Sequence, residues 1–262
     1  MLHSQDAAYS PPETEAAVTK GAASARERSD RATAAPGLVH LETSAKWNPL
    51  DPASQQRRRM SRMRRAVTTA AAVLTEGLQK GGFRYRCVMV TLTYRPGVNW
   101  HPRHLPELLD RARKWLAIRR QKLRYVWVAE LQYRGAVHYH LVIWLPRGLT
   151  LPKPDKQGWW PHGSTRIEWA RKPVGYLAKY ASKGDWSDGG GPRFPRGLRL
   201  HGRGGLERDQ RRVVSWWVLP RYVREYFTEV GAIVRRALGG GWVDELTGEW
   251  IPGWSPLREA PA

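Results

Sequence analysis

Residues 135–144, GAVHYHLVIW, set two histidines one residue apart inside an apolar run. A run of this length reads as a strand, and side chains alternate across a strand. His138, His140, Val142 and Trp144 therefore share one face, while Tyr139, Leu141, Ile143 and Leu145 share the other, which reads as the core face. Two neutral imidazoles two residues apart on one face can chelate a divalent ion. The plainer alternative is a pair of structural histidines whose ring nitrogens find partners nearby. An oxygen donor should complete such a site, and Glu130 is the only carboxylate in the preceding strand. A two-residue turn at Arg134-Gly135 would set Glu130 opposite Tyr139, on the wrong face. A three-residue loop, Tyr133-Arg134-Gly135, sets it opposite His138, and Gly135 suits the left-handed last position of that loop. Two His and one Glu suit several ions, zinc included; if phosphate oxygens complete the shell, Mg²⁺ or Mn²⁺ is the better match.

A second group lies downstream. KPVGYLAKYASK (172–183) reads as a helix with Pro173 in its first turn, and it sets Tyr176 and Tyr180 four residues apart on one face. Lys179 and Lys183 flank that face; Val174, Leu177, Ala178 and Ala181 lie largely opposite. Alone, such tyrosines read as amphipathic packing at a helix edge. Beside a metal the reading changes. A phenol, with pKa about 10, becomes a useful nucleophile when a metal polarises the phosphate it attacks and a cation favours the phenolate. Attack on DNA would leave a 5′-phosphotyrosine and a free 3′-OH, and the linkage would keep the energy needed to rejoin the strand.

The elements that must position these groups follow from periodicity. Strands are expected at 86–95, 124–133, 136–145 and, more weakly, 164–170; helices at 55–80, 105–122 and 172–183. Residues 184–204 read as a Gly/Pro/Arg-rich loop, a helix is expected from about 220, and 239–254 as a short hairpin or an irregular cover with Trp anchors. Strands interleaved irregularly with helices point to α+β, an antiparallel sheet backed by helices. The expected organisation is a disordered tail over 1–44, a basic helical segment over 45–82, the catalytic domain over 83–188, and a basic loop with a helical, Trp-rich extension over 189–262.

Of the 262 residues, 44 are Lys or Arg and 23 are Asp or Glu, a net charge of +21. Such an imbalance predicts an anionic partner, and 14 Trp and 10 Tyr offer stacking surfaces for unpaired bases. Arg57, Arg58, Arg59, Arg62, Arg64 and Arg65, together with the stretch Arg193–Arg203, are the expected phosphate contacts. Trp159, Trp160 and Trp186 are candidates for stacking or for the core. The single cysteine, Cys87, forbids an intramolecular disulfide and reads as a small core residue, and no run of 18 apolar residues occurs. The expected setting is the cytoplasm, with no membrane.

Taken together, VTLTY (90–94), ELQYRGAVHYHLVIW (130–144) and GYLAKYASK (175–183) resemble, in order and spacing, the motifs of the HUH endonuclease superfamily, specifically the rolling-circle replication initiators of phages and plasmids. The resemblance covers about 86–183. It implies a five-stranded antiparallel sheet with the His pair on the central strand, and Mg²⁺ or Mn²⁺ held by Glu130, His138 and His140. It implies Tyr176 as first nucleophile, Tyr180 as second, and Lys179 at the scissile phosphate or the metal-bound water. The substrate it implies is single-stranded or extruded origin DNA. No G-x-x-x-x-G-K-[S/T] loop occurs, so a host helicase and polymerase are expected partners. The competing readings are a transposase of the same superfamily, a non-catalytic single-strand-binding protein, and a zinc hydrolase that leaves the tyrosines idle.

Overall fold

The computed structural model describes residues 52–132, 134–182 and 194–253. The N-terminal tail, Lys183, Trp186 and Arg193 lie outside them. The described elements are α1 (Pro52–Lys80), β1 (Tyr85–Tyr94), α2 (His104–Ala117), β2 (Arg124–Leu131), β3 (Val137–Pro146), β4 (Gly163–Trp169), α3 (Pro173–Ala181), β5 (His201–Gly204), α4 (Arg208–Val218), α5 (Arg221–Tyr226), β6 (Val234–Arg236), β7 (Trp242–Asp244) and β8 (Trp250–Ile251).

β1 to β5 form one antiparallel sheet in the order β4-β1-β3-β2-β5, flanked by helices, so the fold is α+β as expected and β3 is the central strand. Nine of the ten residues of β3 are buried. That corrects the expectation of a single core face, because both faces of the sheet are covered. On the histidine face, Trp144 donates its indole N–H to Thr75 of α1 (3.2 Å) and α3 packs beside α1. On the other face, Leu105 and Leu109 of α2 line a cavity of about 360 Å³ with Tyr125, Trp127 and Tyr139. A strand covered on both sides reads as a continuous apolar run, which is why alternation along β3 is muted.

α1 belongs to this core. Met63, Val67, Ala70, Ala71 and Leu74 are buried in the same cluster as the sheet. Its arginines occupy the remaining arc: Arg57, Arg58, Arg59, Arg62 and Arg64 are exposed, whereas Arg65 is half-buried and reaches the carbonyl of Leu219 (3.3 Å). An amphipathic helix can thus be a basic surface and a structural wall at once.

Three stretches differ from expectation. The Gly/Arg-rich segment read as loop supplies the edge strand β5. Gly202 and Gly204 let it approach, since a Cβ there would meet the rings of Trp127 and Tyr125. A helix, α4, precedes the one expected near 220: Gln210 Oε1 accepts from the Glu207 backbone N–H (2.9 Å), and Val214 and Trp216 are buried, so tertiary burial overrides the strand preference of WWV. The chain then breaks at Pro220 before α5. Beyond α5, the C-terminal cover is a three-stranded sheet, β6-β7-β8, whose Ile251 packs with Trp216, Val223 and Phe227 in a small second cluster.

Candidate active site

Hairpin register brings Glu130 to the histidines. β2 and β3 pair Glu130 with His138 and Val128 with His140. The ladder closes where Gln132 N–H donates to Ala136 (2.9 Å), and Gly135 takes φ of 80°, the left-handed conformation that the three-residue loop demands. Glu130, His138 and His140 therefore share one face.

Their hydrogen bonds are specific. His140 Nε2 donates to Glu130 Oε2 at 2.5 Å, and with that tautomer its Nδ1 accepts from Thr91 Oγ1 at 3.2 Å. Thr91 stands directly opposite His140 on β1. His138 differs: Nδ1 lies 3.3 Å from the Gln132 amide, whose oxygen is held by Arg134 (2.9 Å), and Nε2 is buried with no partner. Burial, reinforced by His140, pushes the His138 imidazole down to about 4, so it is neutral at physiological pH.

α3 closes the site. The Tyr180 ring stacks on His140, centroids 3.5 Å apart and planes at 14°. Lys179 Nζ lies 5.8 Å from the centre of the Tyr180 ring, and Tyr176, one turn earlier, is half-buried against the core. The helix thus carries both phenols and a cation to the histidine face, with the direct ring contact made by Tyr180.

A buried imidazole nitrogen without a partner costs roughly 1–3 kcal/mol, and an electrophile at Nε2 relieves it. Two imidazoles and a carboxylate suit a divalent ion, with Gln132 and Thr91 in the outer positions that orient the rings. As it stands the set is not a closed cage: among the described residues no three His, Cys, Asp or Glu side chains are gathered around a cation position, because Glu130 and His140 hold one another.

Gln132, Thr91 and Arg134 escaped the sequence reading. Gln132 was within reach, since alternation from Glu130 sets it on the same face; Thr91 required the pairing of β1 with β3. Trp160, a stacking candidate, is fully buried and donates to the Thr93 carbonyl (3.2 Å), so it is core. Arg203 likewise lies half-buried in β5 rather than in a free loop, and burial lowers its guanidinium.

Residues 87–185, which run from β1 past α3 and include every candidate site residue, match the family model of the replication-associated protein ORF2/gene 2 protein, a family of rolling-circle replication initiators. No curated protein and no solved structure gives a significant match.

Proposed function

We propose, from a chain whose residues 87–185 match a replication-associated family, that this protein initiates rolling-circle replication by nicking and rejoining one DNA strand through a tyrosine. The observation that carries the reading is the stacking of Tyr180 on His140, itself hydrogen-bonded to Glu130. A phenol helix packed against an imidazole–carboxylate pair has no need of that composition if its role is packing alone. Among the described residues no helix is long and apolar enough to cross a membrane.

Glu130, His138 and His140 would hold Mg²⁺ or Mn²⁺, which when bound draws charge from the scissile phosphate and makes its phosphorus more electrophilic. The remaining work belongs to the chain. The phenol oxygen of Tyr176 attacks phosphorus, and the bond to the 3′ oxygen breaks. The phenolic proton leaves to solvent and the departing 3′ oxygen takes one up. A 5′-phosphotyrosine and a 3′-OH result. Lys179 on the same helix stabilises the charge that builds on the phosphate. The reverse attack by a 3′-OH reseals the strand without ATP, and Tyr180, one turn away, accepts a second strand.

The test is a labelled origin-like single strand incubated with the protein and Mn²⁺, resolved on a denaturing gel for a DNA-linked band. Tyr176→Phe should lose most of the band, and Tyr176→Phe/Tyr180→Phe all of it. His138→Ala and His140→Ala should abolish it. An undiminished band in the double tyrosine variant refutes the assignment.

A further inference from the structure

A cleft of about 860 Å³ opens at the end of the sheet where β1 begins and β4 ends, between the close of α1 and the start of α3. Arg84, Arg86, Arg147 and Arg171 line it, and no carboxylate among its described lining residues balances them. Among the described residues none of the four guanidinium groups has an ion-pair partner. Two large aromatic side chains lie open beside them: Trp169 is 46% exposed and Phe83 62%. The Arg86 guanidinium sits 4.5 Å from the centre of the Trp169 ring. Exposed aromatic rings interleaved with unpaired arginines are the composition that binds unpaired nucleic acid, where rings take bases and guanidinium groups take phosphates.

The position matters as much as the composition. Pro173, the first residue of α3, lines the cleft, and Tyr180, seven residues along, stacks on His140. At about 1.5 Å per residue the helix carries a distance of about 10 Å, or about three nucleotides at a stacked spacing of ~3.4 Å. A strand held in the cleft can therefore reach the phenols along one helix.

We propose that this cleft is a binding site for single-stranded DNA flanking the nicked phosphate, with Trp169 stacking on a base and Arg84, Arg86, Arg147 and Arg171 contacting phosphates. The proposal rests on the tyrosine-nickase reading only for which stretch of strand is held; strand binding at the cleft stands apart from cleavage. A single strand is favoured over duplex because stacking on Trp169 needs an unpaired base face.

The test measures fluorescence anisotropy of fluorescein-labelled dT20 with the full chain in EDTA, where no metal-dependent cleavage interferes. Arg86→Gln/Arg171→Gln should weaken binding about tenfold and lower the salt slope by about 1.4, at ~0.7 per single-strand phosphate lost. Trp169→Ala should weaken it about 5- to 150-fold, and Trp169→Phe should restore most of the loss. Lys114→Gln/Lys156→Gln, remote exposed cations, should change it less than about twofold. All these residues are exposed, and circular dichroism melts would verify folding of each variant. Wild-type affinity and slope in the arginine and Trp169→Ala variants would overturn the site. So would preferential binding of a 20-base-pair duplex that Trp169→Ala leaves untouched. Loss of dT20 binding in a protein that never forms the covalent band would support the cleft and refute only the nicking reading.

Discussion

Glu130 and His140 satisfy one another across 2.5 Å, while His138 Nε2 is left buried without a partner. That asymmetry is costly to a metal-free protein, and such costs gather at functional sites. It leads to a test at the scale of one residue. In EDTA, His138→Leu should unfold at the same urea concentration as wild type or higher, because an apolar side chain removes the unmet polar group. The same variant should lose Mn²⁺ binding, measured by titration calorimetry, by tenfold or more. By contrast Leu141→Ala, on the opposite face of the same strand and fully buried, should lose about 2–5 kcal/mol. A large loss of metal-free stability in His138→Leu would mean that His138 is a satisfied structural histidine after all.

At the scale of elements, the site is an agreement among three. β3 presents the histidines, β2 presents Glu130 through a register fixed at Gly135, and α3 lays Tyr180 over His140. α1 is the fourth participant although it carries none of the candidate chemistry. It lies against α3, its Thr75 accepts from Trp144, and it seals the histidine face with Met63, Val67 and Leu74. A chain beginning at residue 83 should therefore fail to fold cooperatively, even though it contains every motif. Urea unfolding followed by circular dichroism would show a sigmoidal transition for the full chain and none for that fragment; a cooperative, soluble fragment would show that α1 is dispensable. The motifs mark the candidate site, but the boundary of the folding unit follows buried area, and α1's stripe reads as helix rather than as sheet partner until the sheet is in place.

For the whole molecule, partly buried histidines set the response to acid. Burial, with help from Arg203 and Arg199, pushes His201 down to about 4, and burial likewise lowers His104 and His162. In the unfolded chain a histidine titrates near 6.5. As pH falls below that value the unfolded chain takes up protons that the folded chain refuses, so stability is full above pH 6.5 and is lost on the way down to about 4. The melting temperature should therefore fall steadily from pH 7 to pH 4.5, and His201→Gln should flatten part of the slope. A melting temperature constant over that range would contradict the burial of these rings. The net charge of +21 acts in the same direction, since each added proton increases self-repulsion, and it should make the acid loss steeper at low salt.

Local chemistry and short-range periodicity are written in the chain itself. The strand of the two histidines, the helix with two phenols, the long basic helix and the odd-length loop that brings Glu130 to the histidine face all follow from spacing, because alternation, helical repeat and the left-handed freedom of Gly135 act over a few residues. Long-range pairing was decided only on folding. β5 forms in a segment with no strand pattern because β2 offers an edge that glycines can approach, and α4 forms because Val214 and Trp216 find a core to enter. The same holds for Thr91 opposite His140, for Tyr180 rather than Tyr176 in ring contact, and for four arginines gathered round one cleft. Their partners lie dozens of residues away, and no local rule connects them until burial of the sheet's two faces brings them together.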